Sequence, residues 1–353
     1  MTARLHLLKA GARSLIQDAG FRGGRGIGVP SSGVLDRDAL YALNRLLGNE
    51  DGAAAIEVAL VPPRLEARDA PLRLALGPGL AGQVEGDNAR PIGAWTAFTL
   101  HPGETIALSF DPGCPVALIG LGGTPDLPRA LGSHATLPRA GLGGFGRALR
   151  DGDEIALDAA PADEADLRFA TPPAEEAGPI RAVPGPQAEW FTPEAMARFF
   201  DSAYRVGAET DRMGMRLEGP SLTHSERGAD IISDGIAPGA IQVPGSGQPI
   251  VLLADAQTTG GYPKIATVIG ADLSRLAKLA PGDRLRFEAV TVEAAEDAAR
   301  ARRAALDRMA ESIVTAGAGR IDRRALWSAN LVSGVVDALC PDHFPHHSEK
   351  ERP

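Results

Sequence analysis

The chain has 353 residues, enough for one large domain or two ordinary ones with a sizeable core. Its composition is globular, 44% hydrophobic and 23% charged, and its 42 glycines and 28 prolines favour turns and short strands over long helices. A net charge of −9 without a long basic run argues against a nucleic-acid or anionic-membrane surface.

The N-terminus, "MTARLHLLKAGARSL", lacks the apolar core of a signal peptide. No segment approaches the roughly 20 apolar residues of a membrane helix. The two cysteines, Cys114 and Cys340, lie far apart and offer neither a disulfide framework nor zinc spacing. A reducing cytoplasm is the expected compartment, and no metal site is expected.

The first informative stretch is "GVPSSGVLDRDALYALNRLLGN" (28–49). A Pro/Ser/Gly turn runs into a helix over 35–49 with Asp36 as N-cap, Leu40, Leu43 and Leu47 on one face, and Gly48 at its end. Exposed N–H groups at such a start favour an anion or a carbonyl oxygen. Ser32, Asp36 and Asn44 are the substrate-binding candidates here. For Asn44, an amide on the apolar face, a structural hydrogen bond is an equal alternative.

Further on, "PGETIAL" (102–108), "DGDEIAL" (151–157) and "PGDRLRF" (281–287) repeat one unit, a glycine and an acid before an alternating strand. "GLGGFG" (141–146) formally fits a dinucleotide fingerprint, but no strand leads into it and no crossover helix follows. The Ala-, Pro- and acid-rich segment 158–179 reads as a domain connection, with room for one short strand. A new strand then starts at "IRAVPGP" (180–186), as "LRLALGPG" (72–79) did before it. Two related β-rich domains follow, 1–160 and 180–292, joined by a linker over 161–179. In "RMGMR" (212–216), Gly214 stands where a biotin-carrying lysine would be.

The densest polar cluster is "LLADAQTTGGYPKIATV" (252–268), between two apolar strands. Its glycines, Gly260 and Gly261, let backbone approach a ligand closely. Thr258 and Thr259 are candidate oxyanion donors, Asp255 a candidate proton acceptor and Lys264 a candidate cation. Gln257 and Tyr262 complete the substrate-binding set. The bland alternative is that these residues pin a turn. "GGYPK" is not a P-loop, because the glycine spacing is wrong and no Ser or Thr follows the lysine.

The C-terminal part reads as helical: "DLSRLAKLAPG" (272–282) capped by Asp272, a charged helix over 293–316, and another near "IDRRALWSANLVSGVVDAL". Together these make a helical extension over 293–353. The cluster "HFPHH" (343–347) reads as a solvated tail rather than a metal site.

Taken together, "QDAGFRGGRGIGVPSSGVLDRDAL", "LLGNEDGAAAIEVAL", "LGSHATLPRAGLGGFGRALRDGD", "DRMGMRLEGP" and "SDGIAPGAIQVPGSGQPIVLLADAQTTGGYPKIATVIGADL" resemble, over residues 5–290, one family. Its members are variously called the C subunit of 5-oxoprolinase, KipA, allophanate hydrolase subunit 2 and biotin-dependent carboxyltransferase. The resemblance implies a mainly β fold, two cyclophilin-like β-barrel domains with a few helices. It implies a partner, a KipI-like B subunit, and in 5-oxoprolinase a further one, a LamB/YcsF-like A subunit. The implied reaction opens 5-oxoproline to glutamate at the expense of ATP. The alternatives are carboxyl transfer from carboxybiotin on a separate carrier to urea, and KipA-type sequestration of a kinase inhibitor. This sequence departs from the family at Phe21, where Arg is usual, and at Ala256, where a basic residue is common. The resemblance therefore leaves two alternatives for a substrate-anchoring cation: it is missing here, or Arg22 supplies it.

Overall fold

The computed structural model describes residues 2–158, 165–172 and 176–316. Among these, the chain is mainly β, and its strands form two seven-stranded sheets, a closed seven-stranded barrel and a two-stranded ribbon.

The first sheet runs in the order Thr124–Pro125, Glu154–Asp158, Thr2–Lys9, Arg64–Arg68, Thr105–Phe110, Leu80–Glu85, Arg90–Ile92. The second runs Arg13–Gln17, Ala55–Ala59, Val116–Leu121, Leu72–Leu76, Thr96–Leu100, Leu167–Phe169, Ile313–Thr315. Strand alternation explains how they stack. Leu72, Leu74 and Leu76 join Leu5, Leu65 and Ile155 of the first sheet in one core. Ala75, with Ala55, Ala97 and Leu118, turns to the opposite face. That face is covered by helix α1 (Arg37–Leu47) through Leu40 and Leu43, and by Leu306 and Met309 of a long C-terminal helix.

Helix α1 forms as its sequence dictates: the Asp36 carboxylate accepts the Ala39 N–H at 2.9 Å, and Gly48 ends it at φ 68°. The three turn–strand repeats also share one device. Gly103, Gly152 and Gly282 take φ values of 84°, 87° and 99°. The acid after each glycine accepts the backbone N–H three residues back: Glu104 from His101, Asp153 from Arg150 and Asp283 from Ala280, each at 2.8 Å.

Strands from Ile180–Pro184 to Arg284–Ala289 close the barrel, these two pairing in parallel. Helix α2 (Pro193–Asp201) plugs it with Phe199, which stacks on Phe287 at 4.8 Å. The periodicity did not reveal this helix, although Thr192 caps it and Pro193 opens it.

Two helical expectations are corrected. Over 272–282 only α3 (Leu273–Leu276) is α-helical, and the Asp272 side chain caps nothing. Fully buried, it instead accepts from Arg181 and Arg275; two guanidiniums outcompete a cap for one carboxylate. The helix expected over 293–316 is α4 (Val292–Ala310), after which Ile313–Thr315 becomes a strand pairing with Leu167–Phe169. A segment expected to be part of the linker thus serves the second sheet. The helix expected near 321–339, Cys340 and the 343–347 histidines lie outside the described residues.

Candidate functional site

The polar stretch after strand Ile250–Leu252 is held against residues 231–236 by its backbone. The Ile236 N–H donates to the Thr258 carbonyl, Thr259–Gly260 pairs with Asp234–Gly235, and the Ile231 N–H donates to the Gly261 carbonyl. Lys264 is only 4% exposed. Its ammonium donates to Asp234 at 2.6 Å and to the Gly235 carbonyl at 3.0 Å, and this bond holds the Asp234 carboxyl below its ordinary range. Lys264 therefore fastens the ribbon, and its charge is already matched.

Asp255 and Ser32, 223 positions apart, meet in a buried network. The Ser32 hydroxyl donates to the Asp255 carboxylate at 2.7 Å. Arg212 donates to the same carboxylate from Nε and Nη2, at 2.8 and 3.0 Å, to the Gly33 carbonyl, and to Glu57. All four side chains are buried. Desolvation alone would lower the Arg212 pKa, but Glu57 and Asp255 together overcome it and raise the pKa. Asp255 thus has its acceptor sites filled by a serine and an arginine.

The network joins the two β modules, because Ser32, Gly33 and Glu57 come from the two-sheet part and Arg212 and Asp255 from the barrel. Ser32 also donates its N–H to the Ala254 carbonyl, and Arg139 donates to the carbonyl of Asp255 at 2.6 Å. Serine at position 32 adopts φ 51°, a conformation that few side chains tolerate. The turn at 30–33, a candidate for holding a ligand, lies at the seam between the two modules.

The two ends of α1 are structural as well. Asn44 donates to the Ala53 carbonyl at 3.0 Å and accepts from Asn49 at 2.9 Å, closing the helix C-terminus. Asp36 is buried at the N-terminus, and burial pushes its pKa up to about 6, the bond from Ala39 opposing the shift. A carboxyl with a raised folded-state pKa binds protons more tightly when folded. Its contribution is therefore best at low pH and declines as pH rises from about 4 to about 6. Asp36→Asn keeps a capping side chain without that charge. The variant should exceed the parent by about 1–2 kcal/mol at pH 8 and match it at pH 4, read by urea unfolding at both values.

Beside this polar loop the barrel carries an open cleft of about 540 Å³. Gln257 and Tyr262 of the polar loop line one side, Thr210, Asp211 and Met213 belong to the hairpin before strand Gly214–Glu218, Ile250, Leu252 and Gln242 lie alongside, and Glu209 and Arg216, ion-paired at 2.8 Å, also line it. Gln242 is 2% exposed, and its Nε2 donates to the Tyr262 carbonyl at 3.2 Å. Gly260 lies so close that a Cβ there would stand 2.6 Å from that nitrogen, so any larger residue would push the glutamine amide aside. The Arg212–Asp255 network sits directly behind the lining. The Asp255 N–H donates to the Arg212 carbonyl, and the Leu253 N–H to the Met213 carbonyl. It thereby fixes Met213 and Gln257 relative to each other.

Amide groups beside aliphatic side chains, with Arg216 among the charged lining residues, suit a small polar molecule carrying its own N–H and C=O. Of the sequence candidates, the cleft gathers Gln257 and Tyr262, with Gly260 behind them. Asp255 and Ser32 support it, while Asp36, Asn44, Lys264 and the Thr259 backbone serve local structure. Arg22 lines a different cleft. Ala256, where a cation was considered, is buried with Ile236 and Leu252.

Gln242, Arg212 and Glu57 were missed. The signal for Glu57 was present: an acid inside the buried apolar run "AAAIEVAL" demands a partner. Among the described residues, no group of three His, Cys, Asp or Glu is arranged to hold a metal ion. No helix there is long and apolar enough to cross a membrane.

Comparison with known proteins adds a second line. A family model described as carboxyltransferase domain, subdomain A and B, matches residues 27–289. The chain is 33% identical over 294 residues to the C subunit of 5-oxoprolinase from Escherichia coli (strain K12), covering 82% of this chain and 93% of that protein. Crystal structures of the urea amidolyase and the urea carboxylase of Kluyveromyces lactis match with TM-scores of 0.79 and 0.78. Each is 25% identical over 87% of this chain, which spans only 20% and 29% of those two longer proteins.

Proposed function

The chain belongs to the carboxyltransferase domain, subdomain A and B, family, and from that premise we propose that it is the C subunit of a cytoplasmic, ATP-dependent 5-oxoprolinase. The observation that carries this reading is the extent of the match to the C subunit of the Escherichia coli enzyme, 93% of that protein at 33% identity. The barrel cleft supports it. 5-Oxoproline is a small lactam ring with one N–H and one C=O, bearing an ionised carboxylate for which Arg216 is the cation in the lining. Gln257 and the buried Gln242 can present complementary amide groups, and Ile250 and Leu252 can receive the ring carbons.

ATP is a co-substrate in this reading, and its phosphorylation of the lactam oxygen supplies the activation before water opens the ring. Lys264 does not fit a phosphate site, since Asp234 and the Gly235 carbonyl hold its ammonium. ATP is therefore assigned to a partner, a KipI-like B subunit or a LamB/YcsF-like A subunit. This chain binds and orients the lactam, and the partners complete the site.

A second reading is favoured by the match to urea carboxylase. There the same cleft would hold urea, another small amide, and receive the carboxyl group from carboxybiotin on a separate carrier. Reconstitution decides between them. The chain mixed with its neighbouring subunits, ATP and 5-oxoproline should release glutamate, and omission of any one component should abolish release. Carboxylation of urea by carboxybiotin, without glutamate from 5-oxoproline, would favour the second reading. Binding to a kinase inhibitor without turnover of either substrate would favour a KipA-type regulator.

A further inference from the structure

A second cleft, of about 530 Å³, lies between four loops of the two-sheet part and shares no residue with the barrel cleft. Its lining is unusual in its charges. Arg22 and Arg129 contribute two guanidiniums, and Glu50, Asp51 and Asp18 contribute three carboxylates.

Two of the carboxylates are committed. Asp18 accepts from the Gly20 N–H, the Ser133 hydroxyl and the His134 N–H at 2.6–2.8 Å. Asp51 pairs with Arg303 at 3.3 Å and Arg45 at 3.9 Å. The others are not. Among the described residues, the side chains of Arg22 and Glu50 have no hydrogen bond or ion pair, and Arg129 bonds only to His134.

That bond runs from the Arg129 Nε to the His134 Nε2 at 2.9 Å. An accepting Nε2 places the ring proton on Nδ1. Burial first, and Arg129 second, push the His134 pKa down, so the ring is neutral at pH 7. A neutral acceptor orients a guanidinium without cancelling its charge. A carboxylate in its place would have neutralised it. Arg129 is therefore held with both Nη groups and its full charge available.

Opposite charges that line one cleft without pairing leave a gap that a ligand carrying both signs would fill. An inorganic anion would meet Glu50 as a like charge, and a simple cation would meet the two arginines. We propose that this cleft is a second small-molecule site that takes an α-amino acid as its zwitterion, the carboxylate on Arg22 and Arg129 and the ammonium on Glu50. Guanidiniums suit a carboxylate, and this cleft is lined by two.

This inference is independent of the reaction proposed above, because binding is read on the chain alone, without partner or ATP. Calorimetric titration of the full chain at low salt uses L-glutamate, L-alanine, their N-acetyl forms and inorganic phosphate as probes. Both free amino acids should bind saturably with one site. N-acetylation, Arg129→Ala and Glu50→Gln should each weaken binding at least about tenfold, the loss expected when one charged contact is removed. Arg129 and Glu50 are exposed, so the variants should keep the circular dichroism of the parent. Absence of saturable binding by either amino acid would overturn the proposal. So would equal binding of the N-acetyl forms or of phosphate, which would mark the cleft as an anion site.

Discussion

Replacing Arg212 with methionine should lower the unfolding free energy by about 3–5 kcal/mol, the largest single-residue loss expected outside the apolar core. The reason is what stays behind. Glu57 and Asp255 are buried, and each loses the guanidinium that compensates its charge, while the Gly33 carbonyl loses its donor. Methionine fills part of the volume, so the deficit reports charge rather than a cavity. Asp255→Asn should cost less, about 1–3 kcal/mol, because Arg212 retains Glu57 and an amide oxygen can still accept from Ser32. Combining Arg212→Met with Glu57→Gln and Asp255→Asn should recover part of the loss, since residues of one network are not additive. Urea unfolding of the four proteins measures this. A loss below about 1 kcal/mol for Arg212→Met would mean that water reaches these charges.

The second large effect concerns catalysis. In the reconstituted complex, Gln242→Leu should reduce kcat/KM for 5-oxoproline by about 30- to 100-fold, the cost of leaving one amide group of the ligand unpaired in a closed site. Leucine is close to glutamine in volume and the position is buried, so folding should change little beyond the bond to the Tyr262 carbonyl. Gly260→Ala acts on the same group indirectly, since its Cβ would press on the glutamine amide and on Ile236. It should raise KM and so lower kcat/KM as well. Unchanged steady-state kinetics for both variants would remove the barrel cleft from the lactam-binding site.

The sequence displayed some of this directly. The turn–strand repeats were readable because the whole device, a glycine at positive φ and an acid bonded three residues back, is contained in a few consecutive residues. Helix α1 was readable for the same reason, with cap, apolar face and terminal glycine in one stretch. The core-side strand before Asp255 and the strand after Tyr262 followed from apolar runs. The role of the polar residues between them did not. Arg212 meets Glu57 across 155 positions and Asp255 across 43, and nothing in the local pattern encodes those pairings. Asp255 therefore read as a free carboxylate at a strand end, when the fold brings it a buried cation and a serine. Lys264 and Asp234 are a shorter instance, 30 positions apart. Asp272 failed differently: its local context was that of a helix cap, and tertiary contact with Arg181 prevailed.

In the 5-oxoprolinase reading, the cleft beside residues 257–262 receives the lactam. Met213 is exposed on that cleft and is given no polar contact with the lactam, so a Met213→Cys variant, made with Cys114 and Cys340 replaced by serine, carries a single reporter thiol there. Its alkylation by iodoacetamide, followed by mass spectrometry in the reconstituted complex, should slow at least about tenfold when 5-oxoproline is saturating, as expected for a side chain covered by ligand. Glutamate release measured on the same preparation shows that the complex is assembled. An alkylation rate indifferent to 5-oxoproline, in a complex that turns it over, would place the substrate elsewhere.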